Sequence, residues 1–196
     1  KEEELPLLAT GLSLYINLGT ALSSIGDERA AMKMYRSAIL KYNDHADDHA
    51  DDHADDMKQI TNLAAQAAFF LGMTMEELQM YETAADAYAY ANSLDEQHWA
   101  SLANLGSILH DRLRQYGDAL VVYNKAVDIL TGNSSNGSGN GNSNTVEPTD
   151  PPEEPRYVLS QLHYRIGLAI TYGGTTDSDT DPKTDTKTDT ADQNQD

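Results

Sequence analysis

The chain has 196 residues, enough for one domain of ordinary size, with no cysteine and a formal net charge of −19. Without cysteine, disulfides and thiolate metal sites are excluded, and a reducing compartment, intracellular and cytoplasmic, is the expected setting. The acidity argues against nucleic acid or an anionic membrane as a partner.

That charge is unevenly spread. Asp44–Asp56 holds seven aspartates, Asp177–Asp196 a net −5, Glu147–Glu154 −4 and Lys1–Glu4 −2, together all but about one of the −19. The remaining body is nearly neutral, so the acidity belongs to appendages. The chain opens on Lys1, and its pattern stops part-way through a repeating unit, so a segment of a longer protein is expected. The absence of a signal peptide is then uninformative. The longest apolar run noted is Leu63–Met73, interrupted by Gln66 and short of a membrane span.

In chain order, Lys1–Thr10 leads in with three glutamates and Pro6, a residue tolerated in the first turn of a helix. Tyr15, Leu18, Leu22 and Ile25 then recur at three- and four-residue steps, one apolar helical stripe. Gly26–Asp27 breaks it, and Ala31, Met34, Tyr35, Ala38, Ile39 and Tyr42 form a second stripe. Two short helices joined by a glycine-containing turn predict an αα-hairpin. Asp44–Asp56 is DHAD repeated three times plus an aspartate, read as a solvated low-complexity insertion. Helical character resumes near Met57 through ITNLAAQAAFFLGM, with EELQMYETAADAYAYANSL as the partner helix. Trp99–Leu130 repeats the hairpin pattern without long insertion. Thr131–Pro155 is Gly/Asn/Ser-rich and then Pro/Glu-rich, a loop. YVLSQLHYRIGLAITY supplies a last helix, and residues 173–196 read as a disordered Thr/Asp-rich acidic tail.

Aligned on the first-helix glycines, the hairpins share one register. Gly19, Gly72, Gly106 and Gly167 each follow a large aliphatic residue: Leu18, Leu71, Leu105 and Ile166. Alanine stands twelve residues after Gly19 (Ala31) and after Gly72 (Ala84), and thirteen after Gly106 (Ala119). A tyrosine follows each alanine four residues on (Tyr35, Tyr88, Tyr123), and another alanine three later (Ala38, Ala91, Ala126). This pattern resembles the tetratricopeptide repeat, a helix–turn–helix unit of ~34 residues. Repeats are placed at about 12–45, 65–98 and 99–133, with a half-repeat at 160–172 and insertions at 44–56 and 131–155, all within a domain spanning 1–172. The resemblance implies an all-α, right-handed αα-superhelix, a solenoid with the first helices along its concave face.

The resemblance also places ligand contacts on that face. The candidate peptide-binding groove is Asn17, Thr20, Gln66, Phe70, Met73, Asn104, Ser107 and Arg165. Within the family, asparagines at the place of Asn17 and Asn104 form a ladder that holds a peptide backbone. A side-chain amide offers both a donor and an acceptor, which suits sequence-tolerant backbone binding. Phe70 and Arg165 interrupt the ladder. The lysine–arginine clamp that grips the acidic tail of a chaperone lacks its lysines here, which argues against that ligand. His45, His49 and His53 fall four apart and are weak candidates for a divalent metal, with repeat expansion the simpler account of their spacing.

No cysteine nucleophile, Gly-rich phosphate loop or HExxH motif occurs, and no catalytic residues or cofactor are assigned. The expected function is a non-catalytic interaction module binding an extended peptide or a partner helix. The alternative is the substrate-recruiting region of a larger enzyme such as a glycosyltransferase or hydroxylase. Self-association through a free end of the stack is a third reading.

Overall fold

A computed structural model describes residues 4–46, 54–132 and 153–173, and among these seven helices follow one another without a strand. Helices α1 (Glu4–Ser24) and α2 (Glu28–Ala46) form the first hairpin, and α3 (Ala54–Glu77) and α4 (Tyr81–Leu94) the second. Helices α5 (Trp99–Asp111) and α6 (Tyr116–Thr131) form the third, and α7 (Glu153–Gly173) is the last helix among the described residues. Helix α3 packs on both helices of the first hairpin, α5 on α4, and α7 on α6, so the hairpins stack in chain order. This is the all-α helical repeat expected from the sequence.

Several helices run further than the sequence pattern. Helix α2 continues through His45 to Ala46, and α3 begins at Ala54, so both ends of the DHAD segment are helical. Helix α7 begins at Glu153 rather than at Tyr157, and Pro155 falls in its first turn, where a missing N–H costs nothing. The expected insertion core around 47–53, the loop 133–152 and the tail 174–196 lie outside the described residues.

The turns follow one scheme with a telling variation. After α1, Gly26 takes a left-handed φ of 81°, the Gly26 N–H donates to Ser23 O at 2.9 Å and the Asp27 N–H to Leu22 O at 3.0 Å. Asp27 then caps α2, its Oδ1 accepting from the Ala30 N–H at 3.1 Å. The turn after α3 repeats this with Gln79 at φ 60° and the Met80 N–H donating to Met75 O at 2.8 Å. After α5 the left-handed residue is Arg114 (φ 58°), and the Gln115 N–H reaches back to Leu109 O at 2.8 Å, one residue further than in the other two turns. That is where the thirteen-residue spacing is absorbed.

Each hairpin is closed by a tyrosine lying on a glycine. A Cβ built on Gly19 would sit 2.5 Å from the Tyr35 ring, one on Gly72 2.7 Å from Tyr88, and one on Gly106 2.5 Å from Tyr123. Only glycine leaves room for an aromatic ring at the crossing point of the two helices. The flanking alanines Ala31, Ala38, Ala84, Ala91, Ala119 and Ala126 are fully buried, which keeps the backbones close enough for the ring to span them. Around these locks, Leu5, Leu8, Leu12, Ile16, Ile60, Leu71 and Met75 fill one apolar cluster across α1 to α4. Leu102, Leu109, Tyr123 and Leu162 build a second across α5 to α7, with Leu105 and Leu113 touching both.

One sequence expectation is corrected here. Leu5–Ser24, not Leu63–Met73, is the most span-like stretch: 20 residues with a mean hydropathy of 1.4, long and apolar enough to cross a membrane. In the sequence, Pro6, Gly11 and Gly19 break up this apolar run. In the fold, one face of this helix, Leu5, Leu8, Leu12 and Ile16, belongs to the core, while Leu7, Leu14 and Leu18 are exposed on the other.

Candidate functional site

Seven of the eight predicted groove residues fall into two rows set by the repeat register, and Gln66 stands outside both. Two residues before each first-helix glycine stand Asn17, Phe70, Asn104 and Arg165, and one residue after stand Thr20, Met73 and Ser107. The structure shows what the first row does. The Tyr35 ring of the first hairpin stacks on Phe70 of the second, centroids 5.6 Å apart and planes 30° from parallel. Asn104 Nδ2 donates to the Tyr88 hydroxyl at 3.3 Å, and an Arg165 Nη1 proton points to the Tyr123 hydroxyl at 3.4 Å. Each tyrosine thus closes its own hairpin and also reaches the next first helix, Tyr35 with its ring face and Tyr88 and Tyr123 with their hydroxyls.

Phe70 and Asn104 are therefore half-buried seam residues, and their side chains are partly committed. Phe70 also meets Phe69 at 5.7 Å, which in turn lies against Tyr88 at 5.8 Å and His98 at 5.0 Å. Asn17 is exposed. Gln66 and Met73 are exposed on α3. Thr20 is exposed too, its hydroxyl donating to Ile16 O at 3.0 Å and lying 3.3 Å from the Tyr35 hydroxyl. Burial raises all three tyrosine pKa values, and at Tyr88 the neighbouring Glu76 charge adds to the rise, so the phenols stay protonated.

Arg165 gathers the densest polar cluster. Its Nη1 donates to Asp111 Oδ2 at 2.8 Å and to Ser107 Oγ at 3.0 Å, while the Ser107 hydroxyl donates to the same carboxylate oxygen at 3.2 Å. The other Asp111 oxygen lies 2.7 Å from His110 Nδ1. Burial pushes the Asp111 carboxyl up, but hydrogen bonds from His110 and Arg165 and their charges outweigh it and hold it below the ordinary carboxylate value. Beside it, the His110 ring meets Tyr116 at 5.3 Å and Tyr172 at 6.0 Å, joining α7 to the third hairpin. Ser107 and Arg165 were picked out by sequence; Asp111 was not, although it lies one helical turn beyond Ser107 on α5.

The second helices carry their own bridges: the Tyr90 hydroxyl donates to Asn43 Oδ1 at 2.7 Å, and Lys125 Nζ to Asn92 Oδ1 at 2.8 Å. Between α2, α3 and α4 lies an open recess of about 540 Å³ lined by Ile39, Leu40, Leu71, Met75, Ala87 and Tyr90, with Arg36, Thr83 and Asp86 also on it. Nothing in the sequence pattern signalled it. Of the histidine series, His45 Nδ1 lies 2.8 Å from Lys41 O, and His49 and His53 lie outside the described residues. Among the described residues no cluster of three or more His, Asp or Glu side chains is arranged to hold a metal.

The family model for the tetratricopeptide repeat matches residues 12–40, which span the turn and both helices of the first hairpin. That match agrees with the resemblance read from the sequence, and the second and third hairpins repeat the same glycine, alanine and tyrosine register. No curated protein matches the chain. Among solved structures, a crystal structure of MamA protein is 17% identical with a TM-score of 0.41, covering 85% of this chain and 85% of that one. A second MamA structure is 17% identical (TM-score 0.41, covering 81% and 86%), and a third, MamA AMB-1, is 13% identical (TM-score 0.34, covering 83% and 88%). Repeats of this kind are ordinarily non-catalytic interaction scaffolds.

Proposed function

We propose that the first helices form a docking face for an extended peptide or a partner helix, centred on α1 and α3. The observation that carries this reading is the tyrosine seam. Because Tyr35, Tyr88 and Tyr123 each tie the row position of the next hairpin, side chains from successive repeats are held in one continuous, pre-organised line. On that face the exposed side chains offered to a ligand are Asn17, Thr20, Gln66 and Met73, two amides, a hydroxyl and a thioether. Amides suit a peptide backbone, and methionine adapts to varied apolar side chains. Arg165, the cation of the row, is already paired with Asp111, so an acidic tail finds no ready guanidinium.

Panning a random peptide library on the immobilised chain tests the reading. Selected peptides are expected to lose binding to an Asn17→Ala, Gln66→Ala, Met73→Ala variant, whose exposed positions leave the fold intact. Equal binding to that variant would place the docking surface elsewhere.

A further inference from the structure

The second helices carry a surface that the tyrosine seam does not use. Helices α2 and α4 each pack on α3 and scarcely on one another, so a recess stays between them, floored by the buried Leu71 and Met75 of α3. Arg36, Ile39 and Leu40 of α2 line one side, and Thr83, Asp86 and Ala87 of α4 the other. The hydrogen bond from Tyr90 to Asn43, 2.7 Å, ties the two helices beyond Leu40. Small Ala87 leaves the recess its volume of about 540 Å³, within the range of ligand pockets, and Leu40 at its lip is 62% exposed. It lies between two complete hairpins, so it is open wherever the chain begins or ends.

A row of cations leads into the recess. Arg29, Lys33 and Arg36 follow one another at four- and three-residue steps on one stripe of α2, and Leu40 continues it. All four are exposed, and among the described residues no carboxylate pairs with any of the three cations. Like charges one turn apart disfavour a helix, so the fold carries an unrelieved repulsion here, in a chain whose net charge is −19.

We infer that the recess between α2 and α4 is a docking site for an acidic amphipathic helix of a protein partner. One large apolar side chain of that helix seats on Leu71 and Met75, and carboxylates one and two turns away pair with Arg36 and Lys33. Shape and charge together choose this occupant. From Arg29 to Arg36 the row runs about 10 Å along α2, a length that carboxylates at helical spacing match. Asp86 on the facing side repels those carboxylates and keeps them over α2, which fixes how the helix lies. The apolar floor calls for an apolar anchor, which the phosphate backbone of a nucleic acid lacks. This surface belongs to the second helices and stands apart from the α1–α3 face.

The test uses the full chain and two fluorescent alanine-based helical peptides. Each has one leucine anchor with glutamates four and seven residues away, before the anchor in one peptide and after it in the other. Saturable binding of at least one, read by anisotropy, is expected. It should fall about tenfold or more when the anchor becomes alanine, or with Lys33→Glu, Arg36→Glu in the protein. Both positions are exposed, so circular dichroism and melting stay as in the parent. The double variant is expected to bind the peptide with lysines in place of glutamates, a rescue that a merely structural effect would not give. Absence of binding by both peptides, or binding indifferent to the charge reversal, overturns the inference. An unlabelled peptide of residues 177–196, acidic but without a large apolar side chain, is the competitor. If it displaces the probe as well as the unlabelled helical peptide does, charge alone holds the ligand and the anchored helix falls.

Discussion

Asn104 donates its side-chain amide to the Tyr88 hydroxyl at 3.3 Å, across the boundary between the second and third hairpins. The same phenol donates to Glu76 Oε2 at 3.2 Å within its own hairpin. The ring does a separate job on Gly72. The two jobs are separable by mutation. Tyr88→Phe keeps the ring and loses both hydrogen bonds, and is expected to cost about 1 kcal/mol. Tyr88→Ala empties a fully buried site and is expected to cost about 3–5 kcal/mol. Urea titrations followed by circular dichroism give both values; equal losses would show that the ring contributes nothing beyond its hydroxyl.

The glycines divide into two classes with opposite expected responses. Alanine at Gly72 or Gly106 drives a methyl group to within 2.7 or 2.5 Å of a buried tyrosine ring, and is expected to destabilise by about 1–3 kcal/mol. Alanine at Gly167 meets nothing and gains helix propensity, an expected stabilisation of up to about 1 kcal/mol. Melting temperatures of the three variants measured side by side decide it; a shift of the same sign in all three would refute the ring-on-glycine account.

Two turns place a side-chain-bearing residue where the first uses glycine. Gln79, exposed at φ 60°, is expected to gain roughly 0.5–1 kcal/mol on replacement by glycine. Arg114→Gly is expected to gain less, because Arg114 Nη1 donates to the Tyr116 hydroxyl at 3.2 Å and that bond is lost. Differential scanning calorimetry of both variants tests the order.

Acid should loosen α7 first. The Asp111 carboxyl is held below its ordinary value of 3.8 in the fold, so its contribution is complete above that value and is lost as pH falls through the lowered one. Both partners are partly exposed, so the effect is modest and weakens in salt. Hydrogen exchange of α7 amides is expected to quicken below that range in the parent chain. In Asp111→Asn, α7 exchange should already be faster at neutral pH and show a flatter acid dependence. A parallel acid response in both proteins would remove Asp111 from the account.

Much of the fold was legible because the glycine, alanine and tyrosine pattern is a direct imprint of packing: a ring needs a glycine, and close helices need alanines. The groove was legible only in outline. Periodicity tells which face of a helix Asn104 or Phe70 occupies, but not that the preceding tyrosine reaches over to claim it. Asp111 escaped notice because its partner Arg165 is distant in sequence and the pair forms only when α7 docks. The early start of α7 was hidden by Pro and Glu, which serve equally in a loop and in a first helical turn. On α1 the periodic stripe Tyr15, Leu18, Leu22 and Ile25 is only partly covered, Leu18 and Ile25 lying exposed, and the buried face is Leu5, Leu8, Leu12 and Ile16, because periodicity marks an apolar stripe without telling which side a neighbour covers.

Each tyrosine meets a different chemistry on the next first helix: an aromatic face at Phe70, an amide at Asn104, a guanidinium at Arg165. A phenol accommodates all three because it offers a π surface and a hydroxyl on one rigid group. The interior of each unit is thereby insulated from diversification of its surface. A lineage carrying this architecture is free to rewrite the receiving position of one unit after another, changing what the protein recognises while the ring-and-glycine joint beneath remains as it was.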